Sequence, residues 1–304
     1  MPEMAAGKTA VWIDTDPSVA PGVHEVDDGF ALIQAFNSPE LEIRGVSVVY
    51  GNAPFEAAWP IGQEIVAMFG PKGLKCYAGA SRAEQLGEET DASRAMAAAL
   101  KKERLTILAL GPVTNVATLL KNHPELYGQI TAIVAVAGRR PDQHFSAGNK
   151  NAPPFRDFNF ELDAPGFQVL LDSKAPIVLA PWEVSSKVWM KRVDIDRLAA
   201  ASEGARYLVK PASDWLGMWS DKFGTDGFNP FDTLAVGFVT SPDLIECENL
   251  PAEIRSLPDD TKPQKPANKP YLIVSKDVAS KRTLRYCHTP KPGFKDDLMR
   301  RLLK

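Results

Sequence analysis

The stretch VWIDTDPSVAPGVHEVDDGFALI, residues 11–33, places four aspartates in one turn between two apolar runs. The first run, TAVWID (9–14), is short and rich in β-branched and aromatic residues, which is typical of a buried strand. The second run, DGFALIQAFNS (28–38), has the spacing of an amphipathic helix. The stretch therefore predicts a strand, a polar turn and a helix, the repeating unit of a parallel sheet.

The same alternation continues through the next 150 residues. Further apolar runs predict strands, namely EIRGVSVVYG (42–51), RLTILAL (104–110), ITAIVAVAG (130–138) and APIVLAP (175–181). Helical patterns lie between them, namely AAWPIGQEIVAMFG (57–70), ASRAMAAALKK (92–102), VTNVATLLKNHPE (113–125) and PGFQVLLDS (165–173). We therefore expect an α/β fold with a mostly parallel, Rossmann-like open sheet and helices on both faces.

The rest of the chain is less regular. A helical pattern around WLGMWSD (215–221) precedes the Pro/Lys-rich segment 257–271, which predicts a loop. Two strands, YLIVSK (271–276) and TLRYCH (283–288), and a final amphipathic helix, KDDLMRRLLK (295–304), follow. Because there is no internal repeat, and no linker in the first 240 residues, we expect residues 1–304 to form a single domain.

Composition narrows the class of protein. The net charge is −3 and no long Lys/Arg stripe is present, which argues against nucleic-acid binding. No apolar stretch approaches the roughly 20 residues that span a bilayer, and the N-terminus lacks a signal-peptide core. We expect a cytoplasmic protein without membrane contact. The three cysteines, Cys76, Cys247 and Cys287, form no CxxC pair, and such a sparse, odd number favours reduced thiols.

The aspartates of the first loop require an explanation. Asp14 and Asp16 lie two apart at a strand end, so both side chains can point the same way, and Asp27 and Asp28 begin a helix. A helix N-terminus favours a carboxylate by only ~0.3–1 kcal/mol. Two unit charges ~4 Å apart repel by about 4 kcal/mol at an effective dielectric constant of ~20.

A cation is the simplest relief if three of these aspartates converge. Ligands bind beyond the carboxyl ends of strands in open parallel sheets, where Asp14 and Asp16 lie. Asp232 in FNPFDTLAV, which opens another apolar run, offers a further carboxylate. Oxygen ligands without nearby His or Cys favour Ca²⁺ or Mg²⁺. In the alternative interpretation, the aspartates cap the turn and the helix separately and point into water.

Several short motifs occur in a specific order along the chain. They are Asp14-Thr-Asp16-Pro17 with Asp27-Asp28, VVYGN (48–52), LALGPVTNVATLL (108–120), RDFNFELDAP (156–165), APIVLAP (175–181) and FDTLAVGFVTSPDL (231–244). In this set the chain resembles the inosine–uridine-preferring nucleoside hydrolase family, whose fingerprint is a strand followed by DxDPGxDD. The resemblance implies Ca²⁺-dependent hydrolysis of the N-glycosidic bond of a ribonucleoside or related N-riboside, for purine or pyrimidine salvage. We also expect a homo-oligomer, either a dimer or a tetramer.

The resemblance also implies roles for single residues. Asp16 would ligate Ca²⁺ and deprotonate its bound water, which attacks the anomeric carbon of the ribosyl group. Asp28, Asp232 and the backbone carbonyl of Leu110 would complete the protein ligands. Asp27 would bind the ribose 2′- and 3′-hydroxyls. Supporting hydrogen bonds would come from Asp14, and further sugar contacts from Asn52, Asp157, Asn159 and, at the 5′-hydroxyl, Asn149 or Asn151.

The chain departs from the family pattern at three places. Ser18 to Val26 separate Pro17 from the aspartate pair, where the family usually has two residues, so this insertion could cover the pocket or supply a contact from His24. Phe231 stands where the family usually has the histidine thought to protonate the departing base. The segment AGASRAEQLGEETDASR (78–94) lacks the His-Gly pair that lines the base pocket in many members.

The missing histidine leaves three alternatives, since general-acid catalysis is worth ~10²–10⁴-fold in rate. His24 or His144 supplies the proton, whereas His123 and His288 have structural settings. Alternatively the base is cationic or is activated by stacking, for which Trp182, Trp215 and Trp219 are candidates. The helical spacing of Trp215 and Trp219 favours core packing over stacking. Or the protein binds ribosides with little turnover. A Mg²⁺-dependent aspartyl-phosphate phosphatase is a further rival, because a strand followed by D-x-D also opens that architecture.

Overall fold

A computed structural model of the protein describes residues 7–19, 25–148, 152–262, 264 and 267–304. Within these ranges the strands β1 to β11 are Thr9–Thr15, Leu41–Val48, Cys76–Ala78, Leu105–Ala109, Ile130–Ala135, Ile177–Leu179, Met190–Lys191, Gly227–Phe228, Ile245–Pro258, Asn268–Val274 and Thr283–Pro290. The helices α1 to α11 are Asp27–Phe36, Phe55–Phe69, Asp91–Leu100, Thr114–Asn122, Phe158–Leu162, Ala164–Asp172, Trp182–Ser185, Arg192–Ala199, Glu203–Phe223, Thr233–Thr240 and Phe294–Leu302.

Nine of these strands form one sheet in the order β10-β9-β11-β6-β5-β4-β1-β2-β3. Neighbours run parallel from β3 to β11, whereas β9 runs antiparallel to both β11 and β10. The strands β7 and β8 form a separate antiparallel pair. The mostly parallel open sheet that the sequence predicted is therefore confirmed.

The sheet is buried on both faces. Successive residues of a strand point to opposite faces, and in β1 the side chains of Val11 and Ile13 join one apolar cluster while Trp12 joins another. Helices α1, α9 and α10 contribute to the cluster of Val11, and α3, α4 and α6 contribute to that of Trp12. Burial on both sides explains why the strands are continuously apolar rather than alternating.

The five strands and five helices predicted before residue 182 are present, and their ends move by at most three residues. The late strands β10 and β11 and the helix α11 are also where the sequence predicted them. The 14-residue strand β9 was not predicted. Its side chains alternate irregularly between buried and exposed, so it lacks a clear period, and backbone pairing with β10 and β11 holds it in the sheet. The predicted loop 257–271 therefore includes the ends of β9 and β10.

The expectation of reduced thiols was wrong for two cysteines. Cys247 in β9 and Cys287 in β11 lie opposite each other and form a disulfide across 40 residues of sequence. Their spacing gave no signal because the pairing depends on β9, which the sequence did not reveal. Cys76 is free. Across the described ranges we find no helix that combines the length and apolar character needed to cross a membrane.

Candidate active site

The carboxyl ends of β1, β2 and β4 meet at one edge of the sheet. Asp14 in β1 is in register with Ser47 in β2 and Ala109 in β4. The amide of Leu110 donates a 2.8 Å hydrogen bond to the carbonyl of Asp14. Polar residues that are far apart in sequence are therefore brought to a common rim, as expected for the carboxyl edge of a parallel sheet.

Asp14 is buried beneath this rim and ties neighbouring elements together. Its Oδ1 accepts a hydrogen bond from Ser47 Oγ and a 2.9 Å bond from Asn115 Nδ2 in α4. Burial, partly offset by these two hydrogen bonds, raises the pKa of Asp14 to about 7. Asp14 therefore links β1 to β2 and to α4.

Asp16 is fully buried, and one of its carboxylate oxygens has no partner. Oδ2 accepts a 2.7 Å hydrogen bond from the backbone amide of Asn52, whereas Oδ1 has no hydrogen bond. Two glycines make room for the carboxylate: an added Cβ would lie 1.9 Å from Oδ2 at Gly51 and 2.4 Å from Oδ1 at Gly111. A larger residue at either position would displace Asp16.

Three buried carboxylates converge beside Asp16. One oxygen each from Asp27, Asp28 and Asp232 lies within 4.8 Å of the others, and we call these residues the aspartate triad. Asp28 is held by Thr15 Oγ1, by the amide of Asp16 at 3.1 Å and by Asn52 Nδ2 at 3.0 Å. Asp27 Oδ1 has no partner. The start of α1 and the residue before α10 thus meet at the end of β1.

Burial and mutual repulsion destabilise the charged forms of these carboxyl groups. Burial first, and repulsion by Asp28 second, raise the pKa of Asp27 to about 7. The pKa values of Asp16 and Asp232 are raised well above their usual range, mainly by burial and then by neighbouring aspartates. The charges that act most strongly on these groups are other carboxylates, so a cation among them would favour ionisation of all of them.

The aspartate triad suits a hard divalent cation. Ca²⁺ binds oxygens at about 2.3–2.6 Å, so two ligands of one ion lie within roughly 5 Å of each other, as the three oxygens do here. The donors are carboxylates, without His or Cys among them, and an unpartnered Asp27 oxygen remains. The predicted metal ligands Asp28 and Asp232 therefore lie next to each other. Asp27, which was predicted to bind ribose, lies in the same cluster.

The other two predicted ligands lie outside the triad. Asp16 lies beside Asp28, to which its amide donates. The carbonyl of Leu110 accepts a 2.6 Å hydrogen bond from Asn159 Nδ2, which also donates at 3.1 Å to the carbonyl of Val136. Asn159 thereby fixes the ends of β4 and β5 at the rim.

A cavity of about 490 Å³ opens next to the triad. Its polar lining includes the predicted residues Asp27, Asn52, Asp157, Asn159 and Asp232. Asp157 Oδ2 accepts a 2.8 Å hydrogen bond from the amide of Gly138. Burial, opposed by the nearby Arg139, raises the pKa of Asp157 to about 6.

Aromatic side chains line much of the remaining cavity. The predicted residues Trp182, Trp215, Trp219 and Phe231 are among them, and the structure adds Phe145, Phe155, Phe158 and Phe223. Trp215 and Trp219 share a face of α9, with ring centroids 6.4 Å apart. Both side chains also contact the apolar core. This pair therefore lines the cavity and packs in the core at the same time.

Glu25 is a cavity residue that the sequence analysis missed. It ends the insertion, lines the cavity, and has a buried Oε1 without a hydrogen bond. Its carboxyl group is close enough to Asp27 to hydrogen-bond, and burial followed by repulsion from Asp27 raises its pKa well above the usual range. The signal was present as a fifth acid in HEVDD, next to the aspartate pair.

The histidine candidates differ in position. The side chain of His144 is 71% exposed, lies 3.7 Å from Asp260 and is absent from the cavity lining. His123 pairs with Glu89 and Glu125, as suits a structural residue. His24, Asn149 and Asn151 lie outside the described residues, so their proposed contacts stay predictions.

Most of the chain matches a known protein family. The profile of a family described as inosine-uridine preferring nucleoside hydrolase matches residues 11–268. The chain belongs to this family. A pyrimidine-specific ribonucleoside hydrolase of Klebsiella pneumoniae is 27% identical over 263 residues, which cover 77% of this chain and 80% of that protein.

Solved structures of the family share the fold at low identity. A plant nucleoside hydrolase superposes with a TM-score of 0.80 at 18% identity, covering 97% of this chain and 99% of that one. A purine-preferring ribonucleoside hydrolase from Gardnerella vaginalis gives a TM-score of 0.75 at 21% identity, covering 97% and 98%. The Klebsiella protein is named for pyrimidines and the Gardnerella protein for purines, so similarity to these proteins does not by itself define the base.

Proposed function

We propose that this protein hydrolyses the N-glycosidic bond of a ribonucleoside or related N-riboside, giving ribose and free base, with Ca²⁺ as cofactor. Family membership and the ribonucleoside hydrolases among its relatives support this reaction. The observation that carries it is the aspartate triad, three buried carboxylate oxygens within 4.8 Å of one another, beside Asp16 and next to a cavity that Asp27 and Asp232 line.

The metal would contribute charge. A bound Ca²⁺ would offset the aspartates, acidify water and orient vicinal hydroxyls. Asp27, Asp28 and Asp232 would hold it, with the Asp16 carboxylate and the Leu110 carbonyl as further oxygen donors at the same rim. Charged carboxylates also stabilise the positive charge that develops on the sugar in an oxocarbenium-like transition state.

Asp16 would act as the base. Its Oδ2 is occupied by the Asn52 amide, which leaves the unpartnered Oδ1 to accept a proton from the attacking water. Asn52, Asp157 and Asn159 line the cavity and would hold the ribose hydroxyls. Asp14 would keep the strand ends in position through Ser47 and Asn115.

A hydrolysis screen tests the proposal. The purified protein would be assayed with an excess of added Ca²⁺. The substrates would be purine, pyrimidine, nicotinamide and methylated-base ribosides. Release of reducing sugar from at least one riboside, lost in a chelator and restored by Ca²⁺, is expected. Failure to release sugar from any of them would reject the enzyme.

A riboside-binding protein with little turnover is a second candidate. Phe231 favours it, because this position lacks the histidine that the family uses near the leaving group. Calorimetry that shows riboside binding without sugar release would support this alternative. Family membership speaks against the aspartyl-phosphate phosphatase, and trapping of a phosphorylated enzyme would be needed to revive it.

Two further expectations accompany this proposal. We propose that the protein forms a homo-oligomer and acts in base salvage. The disulfide between Cys247 and Cys287 weighs against a cytoplasmic location, because such bonds persist mainly in oxidising compartments.

A further inference from the structure

The hairpin formed by β9 and β10 reaches back to the segment after β5, although three strands separate β10 from β5 in the sheet. Arg139 in that segment forms a parallel bridge with Ile273 of β10. The amide of Arg139 donates a 3.0 Å hydrogen bond to the carbonyl of Leu272, and its carbonyl accepts a 2.9 Å bond from the amide of Val274. The backbone of Arg139 is therefore fixed by the hairpin.

The side chain of Arg139 is buried and held by polar and aromatic contacts. Its Nη1 donates a 2.6 Å hydrogen bond to Oδ2 of Asp260, in the turn of the hairpin, and a 3.2 Å bond to the carbonyl of Gln143. The guanidinium carbon lies 4.0 Å from the ring centroid of Phe145 and 4.9 Å from that of Tyr271. A planar cation with an ion pair and two ring contacts has little freedom to move.

The hairpin also holds helix α5, which carries Asn159. Lys269 Nζ in β10 donates a 2.8 Å hydrogen bond to Oε1 of Glu161 in α5, and it lies 3.0 Å from Oδ1 of Asp260. Side chains of opposite charge thus join the hairpin to two segments beside the cavity. We call the four charged residues the ionic network: Arg139, Glu161, Asp260 and Lys269. None of their side chains is more than 12% exposed.

Asp157 is the cavity carboxylate on which the ionic network acts. It lines the cavity directly before α5, and its Oδ2 accepts a 2.8 Å hydrogen bond from the amide of Gly138, next to Arg139. Burial raises the pKa of Asp157 to about 6. The positive charges of Arg139 and Lys269 and the Gly138 hydrogen bond limit the rise, whereas the charge of Glu161 adds to it.

A structural role alone does not account for Arg139. Its Nε and Nη2 are buried and have no hydrogen-bond partner, and the residue is 2% exposed. Buried donors without partners destabilise a fold, and a buried side chain that serves only packing or hydrogen bonding would avoid them. The positive charge itself is therefore the property of Arg139 that needs a function, and Asp157 is the cavity group that it affects.

We propose that Arg139 is a positioning residue for ligand binding in this protein. Fixed by the ionic network, its positive charge holds Asp157 as an anion that accepts a hydrogen bond from a sugar hydroxyl. The hairpin of β9 and β10 thereby contributes to binding, although none of its described residues lines the cavity. The inference rests on the proposed function for the identity of the ligand, a riboside, and adds to it the device that keeps one sugar contact charged.

Binding of a ribose ring without a base tests the inference in the absence of turnover. Calorimetry with 1,4-anhydro-D-ribitol, in saturating Ca²⁺ between pH 5 and pH 8, would give its affinity for the native protein and for Arg139→Met. The native affinity should be half lost near pH 6, where Asp157 gains a proton. Loss of a nearby positive charge should move this midpoint to about pH 7. The variant should then bind about fivefold more weakly at pH 6 and within about twofold of the native affinity at pH 8.

The neighbouring arginine provides a matched control. Arg140 also lies over an aromatic ring, 5.0 Å from the centroid of Tyr286, and pairs with Glu183 at 2.9 Å and Glu248 at 2.8 Å. It is absent from the cavity lining, and its charge is offset by these two carboxylates. Arg140→Met should therefore leave the midpoint near pH 6.

Three further variants separate charge from packing. Arg139→Lys keeps the charge and should keep the midpoint near pH 6. Lys269→Met, at a less buried position, should move the midpoint upward as well, so it serves if Arg139→Met does not fold. In an Asp157→Asn background, Arg139→Met should cause no pH-dependent change in affinity, because the group that it acts on no longer titrates. Melting curves verify folding of each variant.

The outcomes distinguish this inference from the proposed function. A midpoint that stays near pH 6 in folded Arg139→Met, or an equal loss of affinity at pH 6 and pH 8, would overturn the inference and leave the proposed hydrolase standing. Absence of binding by the native protein at every pH would reject both the sugar contact of Asp157 and the inference. The expected movement of the midpoint, without hydrolysis of any riboside, would support the inference and reject the enzyme.

Discussion

The backbone amide of Asn52 donates a 2.7 Å hydrogen bond to Oδ2 of Asp16, which lies 36 residues earlier in the chain. The bond joins the loop after β2 to the end of β1 and occupies one of the two carboxylate oxygens. The other oxygen, Oδ1, is buried and unpartnered. The loop after β2 thus orients Asp16 and leaves its second carboxylate oxygen available to accept a proton or to bind a cation.

Replacing Asp16 tests that role. Asp16→Asn keeps the size of the side chain and an oxygen for the Asn52 amide, but it removes the base. We expect kcat to fall by at least ~10²–10⁴-fold. The control is Asp172→Asn, an exposed acid at the end of α6, which should leave the rate unchanged. Steady-state kinetics on any hydrolysed riboside would show the difference, and an unaffected kcat would remove Asp16 from the mechanism.

Removal of calcium should destabilise the fold. A ligand present at 100 times its Kd stabilises the folded state by about 2.7 kcal/mol, so a chelator should lower the melting temperature by several degrees. Differential scanning fluorimetry with EDTA and with added Ca²⁺ or Mg²⁺ measures the shift. Asp232→Asn should abolish the response to Ca²⁺. Identical melting curves in EDTA and in added Ca²⁺ would rule out the aspartate triad as a tight site.

A histidine introduced beside Asp232 should assist neutral leaving groups. We expect Phe231→His to raise kcat for inosine by about 10²-fold, and the gain should decline above pH ~6.5 as imidazole loses its proton. Phe231→Leu removes the ring without adding an acid and serves as the control. If both variants behave alike on neutral nucleosides, the identity of this side chain does not limit base departure.

Asp163 predicts a specific pH dependence of stability. It is buried, caps α6 through the amide of Gly166 at 3.0 Å, and accepts a 2.7 Å bond from Thr114. Burial raises the pKa of Asp163 to about 6, so the folded protein binds this proton more tightly than the unfolded chain. The resulting stability is complete below pH ~4 and is lost as pH rises through about 6, a change of about 3 kcal/mol.

The variant Asp163→Asn isolates this contribution, because asparagine is also a good helix cap and does not titrate. Urea denaturation at pH 4 and pH 7.5 should show the native protein losing about 3 kcal/mol relative to the variant over this interval. If the two proteins differ in their free energy of unfolding by the same amount at both pH values, the raised pKa of Asp163 is contradicted.

The disulfide is directly measurable by thiol counting. Unfolded protein without reductant should expose one reactive thiol, that of Cys76, and reduction should expose three. In the folded state Cys76 should react slowly, since burial raises the pKa of its thiol to about 12. Replacing Cys247 with serine should cost ~2–4 kcal/mol of stability, because the bond closes a loop of 40 residues. Three reactive thiols before reduction would contradict the disulfide and support the three reduced cysteines that the sequence favoured.

The parallel sheet, its helices and the acidic loop at its edge were predictable from the order of residues alone. Strands buried on both faces must be apolar throughout, and helices must carry an apolar face, so both patterns are local and readable. Val11, Ile13 and Trp12 illustrate this, since their run predicts β1 without knowledge of any neighbour. The order of motifs around Asp14, Asp16, Asp27 and Asp28 likewise sufficed to indicate the family.

Which side chains share the cavity depends on how distant segments pack together in three dimensions. Phe145 and Phe155 carry no distinctive spacing, and they line the cavity because segments that are distant in sequence meet at the same rim. The strand β9 and the disulfide between Cys247 and Cys287 depend on backbone pairing between distant segments, which leaves little trace in the hydrophobic period. Local periodicity records what each segment buries, whereas a binding site depends on where the chain brings segments together.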